Sequence, residues 1–319
     1  NLGKTFPNPT VGCVISKNNI IISKAVTSAT GRPHAEEIAL KKAGKKAKGA
    51  IMYVTLEPCF HSSQNGSCAD QILRSGIKKI YISCIDQDPR TKKKSISKLK
   101  KNKIKVIIGI EKDKTISVNN FYFKSLKKKK PFTKVKMAIS NDNKIAWSNY
   151  KSKWISNSKS RAYVHSLREK TQAILTTSKT ILIDNPRFTV RKKNKIIKNL
   201  NVIIIDKNLN IPLNINLLKN LHERRVIIFT SKKNNKSQKL KQLGCEIIEM
   251  KIVNNKFDLK KIFSHIYQLK ISDLMVEAGG ILFADLIKNN LVDEILLFKA
   301  PYIIGEKGVP VIEGNSLNN

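Results

Sequence analysis

Acidic side chains are scarce: 23 Asp and Glu stand against 61 Lys and Arg in 319 residues, a formal net charge of +38. So basic a chain first suggests a polyanion partner, because clustered cations release counterions from phosphates on binding. Aromatic residues are also few, at 6%, which leaves little of the stacking platform that a single-strand nucleic-acid binder uses. The lysines are spread over nearly every segment, so the excess reads as compositional drift toward Lys, Asn and Ile, which bears on solubility and not on fold. No specific nucleic-acid partner is expected. The five cysteines, Cys13, Cys59, Cys68, Cys84 and Cys245, are too few and too unevenly placed for a disulfide framework, which points to a reducing cytosol. No apolar run approaches the roughly 18 residues that span a bilayer. NLGKTFPNPTVG at the start has neither the hydrophobic block nor the cleavage pattern of a signal peptide. A cytoplasmic protein without a membrane partner is therefore expected. The first residue is Asn and not Met, so the sequence reads as a fragment or a trimmed chain. What is present, 41% hydrophobic residues, suffices for the cores of about two domains of roughly 150 residues.

Short β-rich runs alternate with helix-period segments, the pattern of α/β layers on a largely parallel sheet. In the first half, strands are expected at 11–15, 51–56, 79–84 and 105–110, and helices at 34–43, 69–75 and 95–102. Lys127, Lys128, Lys129, Lys130 and Pro131 repel one another and end in a helix breaker, so residues 127–131 read as a basic linker between domains at 1–126 and 132–319. The second half predicts strands at 133–140, 173–176, 202–206, 226–230, 246–250, 274–277 and 294–299, and helices at 160–170, 237–243, 259–269 and 280–289. The stretch 192–201 reads as a basic surface loop.

The strongest chemical signal is His34-Ala35-Glu36 at a helix start, Pro58-Cys59 at a strand end, and Cys68 opening the next helix. One imidazole and two thiolates give Zn²⁺ three protein ligands and leave the fourth tetrahedral position to water, the pattern of a catalytic site. Glu36, two residues past His34, reaches that water without being a ligand and can carry its proton to a leaving amine; base deaminases work this way. His61 offers a fourth ligand that would close the site and make it structural. Cys13, Cys84 and Cys245 read as buried small hydrophobes.

The second half has neither a Walker A motif nor G-x-G-x-x-G. What remains is Val276-Glu277-Ala278-Gly279-Gly280 between a strand and a helix. It reads equally as a backbone cradle for a phosphate and as an ordinary tight turn.

Asn8-Pro9-Thr10-Val11-Gly12-Cys13-Val14, then His34-Ala35-Glu36, then Thr55-Leu56-Glu57-Pro58-Cys59 with eight residues before Cys68, resemble the deaminase half of the bifunctional riboflavin-biosynthesis deaminase/reductases. The long interval separates the chain from tRNA adenosine and cytidine deaminases. The resemblance implies a cytidine-deaminase-like three-layer domain that removes the 2-amino group of 2,5-diamino-6-ribosylamino-4(3H)-pyrimidinone 5′-phosphate by hydrolysis, with Asn8 and His61 on the substrate. Thr27 stands where the family has His, and Ser63-Gln64-Asn65-Gly66-Ser67 where it has Gly-x-Thr-Pro-Pro.

The stretch from Lys136 to Ala146, Ser152-Lys153-Trp154-Ile155, Arg168, Asp184-Asn185-Pro186, Thr189-Val190-Arg191 and the Glu277 to Gly280 turn are similar to the reductase half, in the same order. This implies a dihydrofolate-reductase-like domain in which NADPH reduces the ribosyl group to ribityl. By the resemblance, Ala138, Trp154, Thr180 and the segment Gly279, Gly280, Ile281, Leu282, Phe283, Ala284 and Asp285 hold NADPH. Ser152, Arg168, Arg191 and Glu277 hold substrate. Arg168 and Arg191 offer forked donors to a 5′-phosphate. Asp184 would orient the ribosyl hydroxyls or supply a proton, an Asx turn being the alternative. Asn143, where the family has Gly, tolerates positive φ. The family's leading helix and final strand do not stand in this sequence, so open sheet edges are expected, as is a homo-oligomer. Two rival readings are an RNA-editing deaminase with an accessory domain and a degenerate member with only the reductase active.

Overall fold

The computed structural model describes residues 1–61, 66–148, 157–193 and 195–313. They form two compact units, Asn1–Lys129 and Lys130–Asn319.

Unit 1 is built on strands β1 (Gly12–Lys17), β2 (Ile20–Val26), β3 (Ile51–Leu56), β4 (Lys79–Cys84) and β5 (Lys105–Ile108), with helices α1 (Ala35–Ala43), α2 (Cys68–Ser75), α3 (Lys94–Lys101), α4 (Lys112–Val118) and α5 (Asn120–Lys128). The sheet order is β2-β1-β3-β4-β5; β1 is antiparallel to β2 and β3, while β3, β4 and β5 are parallel. Side chains alternate across a pleated strand, so Ile15, Met52, Ile80 and Ile82 point inward, where Ile72 of α2 and Leu99 of α3 are also fully buried. Strand β2 and helices α4 and α5 lie outside the elements expected from the sequence. The β1–β2 hairpin turns on Asn18 and Asn19, at φ 47° and 61°, the two-residue turn that Asn serves well. The lysine run corrects the linker reading: Lys127 and Lys128 close α5, where the helix dipole favours cations, and the helix breaks only at Lys129, φ 55°.

Unit 2 carries, in chain order, β6 (Phe132–Ile139), β7 (Lys144–Ala146), α6 (Ser158–Glu169), β8 (Ala173–Thr177), α7 (Ser178–Asp184), β9 (Thr189–Lys192), β10 (Lys195–Asn199) and β11 (Asn201–Ile205). Then follow β12 (Val226–Thr230), α8 (Asn235–Gln242), β13 (Glu246–Glu249), β14 (Ile252–Val253), β15 (Lys256–Phe257), α9 (Leu259–Gln268), β16 (Asp273–Val276), α10 (Gly280–Lys288), β17 (Glu294–Lys299) and β18 (Val309–Pro310). The main sheet is β13-β12-β11-β8-β16-β6-β17, parallel at every pairing. A parallel sheet is covered on both faces. Accordingly Val202 and Ile204 enter one core cluster with Ile174 and Ile228, and Ile203 enters the other with Val135 and Phe263. Residues 192–201 are not a loop: β10 pairs antiparallel with β9, Thr189 and Val190 of β9 are buried, and of the β10 lysines Lys195 is exposed while the half-buried Lys198 donates through Nζ to Thr171 O at 3.3 Å. Asn143 takes φ 60°, as an Asn in place of Gly should.

The two rims of this sheet differ. At the N-terminal ends of the strands, polar groups lace neighbours together: Ser272 N donates to Gln172 Oε1 at 2.9 Å, Thr133 N to Asp293 Oδ2 at 3.0 Å, and Arg225 closes a fork on Glu246 at 2.7 and 2.8 Å. The C-terminal ends open onto a cavity of about 670 Å³.

Candidate active sites

In unit 1, three element ends converge. His34 is the N-cap of α1, and its backbone N–H donates to Glu37 Oε2 at 2.9 Å. Cys59 follows the end of β3, and Cys68 opens α2 behind Ser67, whose hydroxyl accepts from Asp70 N at 3.1 Å. The backbone N–H of Cys68 thus points outward and donates to Cys59 Sγ at 3.3 Å, while His34 Nδ1 lies 3.4 Å from Cys68 Sγ. The three ligand atoms all lie within 4.8 Å of one another. That separation accepts a tetrahedral ion with bonds of about 2.0–2.3 Å after a small closing of the side chains. His61 is not part of this group, so the fourth position is left to a small molecule.

Electrostatics fit a cation here. The hydrogen bond with Cys68 holds the Cys59 thiol well below its ordinary range, and the same bond pushes Cys68 up. Two thiols share a proton that a metal would displace. Glu36 is 3% exposed, and its Oε2 has no hydrogen-bond partner among the described residues. Burial pushes this carboxyl up to about 7, against the pull of His34. A buried carboxylate oxygen without a partner is costly, and a water or amine beside the ion would satisfy it.

Asn8 is fixed by Nδ2 donating to Gly31 O at 3.0 Å. Gly31 is obligatory: at φ 86°, a Cβ would stand 2.6 Å from Asn8 Nδ2 and 2.7 Å from Thr5 O. His61 Nδ1 is buried and unpartnered among the described residues, and burial lowers its pKa, so the ring is neutral and can donate to or accept from a ligand.

The sequence reading missed a polar frame behind Cys59. Glu57, 3% exposed, accepts from Lys93 N at 3.0 Å, Ser95 Oγ at 2.8 Å and Asp86 N at 3.3 Å. Asp86 accepts from Tyr122 Oη and Asp88 N, both at 2.9 Å, and burial raises it to about 6. Asp88 takes the fork of Arg90. The only local signal was a carboxylate directly before Pro58-Cys59.

In unit 2 the cavity brings together Ala138 of β6, Thr180 and Asp184 of α7, Arg168 of α6, Glu277, and Gly279, Gly280, Ile281, Leu282 and Asp285. Arg168 donates through Nε and Nη2 to the two oxygens of Glu277 at 2.7 and 2.8 Å, and Lys136 Nζ stands 3.8 Å from the same carboxylate. Burial alone would raise Glu277, but Arg168 and Lys136 outweigh it and hold it down to about 2. The expected open fork of Arg168 is therefore closed on Glu277. Asp184 ends α7 and is not in an Asx turn of its own; burial raises its pKa, with Lys136 opposing.

Three of the expected residues lie off the cavity wall. Phe283 and Ala284 are buried, Phe283 in the core beneath α10, because a helix can turn only one side to a cavity. Arg191 is exposed, and its Nε donates to Thr189 Oγ1 at 3.2 Å; it does not line the cavity. Ser152 and Trp154, like residues 62–65, lie outside the described residues.

The paired glycines differ in kind. A Cβ on Gly279 would meet nothing within 4 Å, so that position faces open cavity, as a backbone that receives a dinucleotide phosphate must. A Cβ on Gly280 would stand 2.8 Å from Pro310 O and from Val311 O, so this glycine serves packing. Gly280→Ala should cost about 1–3 kcal/mol of stability, the range of overpacking. Gly279→Val should leave the melting temperature nearly unchanged and weaken nucleotide binding. Thermal melts with and without NADP⁺ separate the two, and equal behaviour would contradict the distinction.

A thiolate–imidazole metal centre with a buried carboxylate beside it, and a parallel α/β unit with a dinucleotide-sized cleft at its strand ends, together define a two-activity enzyme, a zinc deaminase joined to a reductase. The RibD C-terminal domain family matches residues 131–319, and the cytidine and deoxycytidylate deaminase zinc-binding region matches residues 1–84. The riboflavin biosynthesis protein RibD of Aquifex aeolicus is 37% identical over 308 residues, 95% of this chain and 84% of its own length. That of Buchnera aphidicola subsp. Baizongia pistaciae is 35% identical over 324 residues, 96% and 85% of the two chains. Among solved structures, Acinetobacter baumannii RibD superposes with a TM-score of 0.89 at 31% identity, covering 98% of this chain and 86% of the other. The Thermotoga maritima diaminohydroxyphosphoribosylaminopyrimidine deaminase/5-amino-6-(5-phosphoribosylamino)uracil reductase gives 0.84 at 29%, covering 100% and 88%. The chain belongs to the RibD family, the bifunctional deaminase/reductases of riboflavin biosynthesis. No helix among the described residues is long and apolar enough to cross a membrane.

Proposed function

We propose that residues 1–126 carry the deaminase and residues 132–319 the reductase, acting in turn on one phosphorylated pyrimidine. The observation that carries this reading is the pairing of the His34–Cys59–Cys68 cluster and unpartnered Glu36 in one unit with the Glu277–Gly279 cleft in the other. His34, Cys59 and Cys68 would hold Zn²⁺, which when bound lowers the pKa of a water to about 7. Asn8 and His61 orient the pyrimidine, and Glu36 moves a proton to the 2-amino group so that it leaves as ammonia. In unit 2, NADPH supplies hydride when bound. Ala138, Trp154, Thr180 and the backbone at Gly279 seat it, and the Arg168–Glu277 pair, Lys136, Ser152 and Arg191 hold the ribosyl phosphate. Asp184, raised by burial, delivers the proton required at the ribosyl oxygen.

A reducing cytosol is the compartment we infer, because oxidation of Cys59 with Cys68 would remove two metal ligands. A homo-oligomer is supported by β17, an edge strand whose Ile295 and Leu297 are exposed. The chain's basic charge is spread and serves no specific nucleic-acid partner in this reading.

Purified protein should contain one zinc per chain and oxidise NADPH only when the diaminopyrimidine substrate is supplied. Cys59→Ala should lose the zinc and all deamination while still reducing the deaminated intermediate. NADPH oxidation without substrate, or deamination by the metal-free variant, would overturn the proposal.

A further inference from the structure

The cleft of unit 2 runs along the C-terminal ends of β6, β16, β8 and β11, which are neighbours in that order. With strands about 4.8 Å apart, Ala138 on β6 and Lys207, just past β11, are separated by roughly 14 Å across the sheet. Gly279 and the start of α10 lie in between. A dinucleotide lying across strand ends with its pyrophosphate at a helix start would thus put its reacting ring by Ala138 and its adenosine by β11.

The β11 end has its own chemistry. Ile205, Phe257 and Leu259 line it and offer an apolar seat for a purine. Two ammonium groups border that seat. Lys207 Nζ donates to both Asn255 O (3.1 Å) and Asn255 Oδ1 (2.8 Å), which straps the tip of the β14–β15 hairpin, turned on Asn254 and Asn255 at φ 47° and 60°, against the cleft. The next residue, Lys256, lines the cleft with its side chain 72% exposed and its Nζ 3.6 Å from Asp285 Oδ1. So long and exposed an ion pair contributes little, and its ammonium is available to a stronger anion.

We propose that Lys256, held over the cleft by the hairpin that Lys207 straps down, is the specificity-determining residue for a phosphate on the adenosine ribose, and thereby selects NADPH over NADH. The inference rests on the reductase reading of this cleft. A phosphate there would draw Lys256 from Asp285 and take the remaining donor of Lys207, an ammonium having three.

Isothermal titration of the zinc-loaded full chain with NADP⁺, NAD⁺, 2′,5′-ADP and 5′-AMP tests it by binding alone. The wild type should prefer NADP⁺ to NAD⁺, and 2′,5′-ADP to 5′-AMP, with both preferences falling as salt rises. Lys256→Gln, an exposed change that keeps side-chain length, should reduce both preferences about tenfold or more, the usual loss for a hydrogen bond between charged groups, and leave NAD⁺ and 5′-AMP binding unchanged. Lys207→Met should reduce them further. Equal preference in the wild type, or an unchanged ratio in Lys256→Gln, would sink the inference while the reductase reading stands. Failure of both dinucleotides to bind the wild type would sink both.

Discussion

Glu36→Gln is expected to lower the deamination rate by about 10²–10⁴-fold, the contribution of a positioned proton carrier. Zinc content and the reductase should remain intact. The amide fills the same volume, and the position is nearly closed to solvent, so packing survives. What disappears is a group able to accept a proton from water and return it to nitrogen. The three ligands are separate side chains whose mutual hydrogen bonds do not pass through Glu36, so the metal should stay. Ammonia release, zinc analysis and NADPH oxidation with the deaminated intermediate, measured on the same preparation, discriminate the cases. Deamination within tenfold of wild type would show that Glu36 is not the proton carrier, and loss of zinc would show that it is a structural group.

The second large effect concerns Arg168 and Glu277. Removing one member of a buried pair leaves an uncompensated charge, which typically costs about 3–5 kcal/mol. Glu277→Gln should therefore destabilise unit 2 by an amount in that range at pH 7, read from urea unfolding. Replacing both, Arg168→Met with Glu277→Leu, should recover most of the stability, because paired charges and packed apolar side chains are often near equal, yet reduction of substrate should be lost. The pH dependence has a definite sign. The Glu277 carboxyl is depressed in the folded state to about 2 from an unfolded value near 4.3, so its contribution is complete above the unfolded value and vanishes as pH falls toward 2. The gap between wild type and Glu277→Gln should accordingly narrow below about pH 4. A gap independent of pH would mean that the loss is one of packing.

Much of the catalytic centre in unit 1 was legible in the sequence because each ligand sits at an element junction with its own local marker: a His before a helical period, a Cys after a β-branched strand, a Cys behind Ser67. Strand β2 was missed although its signal was present, since Asn18-Asn19 between two apolar runs is a hairpin sign that the lysine-rich context obscured. The Glu57–Asp86–Asp88 frame could not be read, because its partners are 29 to 38 residues apart along the chain and only the fold brings them together. The glycine pair illustrates a different limit. Gly279 and Gly280 look alike in sequence, and their separate duties depend on where residues 310–311 return. The pairing of the Arg168 fork with Glu277 was hidden for the same reason, as that carboxylate lies 109 residues away.

The uneven rims of the unit 2 sheet bear on how such a chain can change. Ties such as Ser272 to Gln172 and Arg225 to Glu246 fasten the edge where strands begin, whereas reactive groups gather where they finish. Insertions, affinity handles or spectroscopic labels added beside the fastened edge would perturb turnover least, and a lineage drifting toward lysine can load that edge with cations without touching its chemistry.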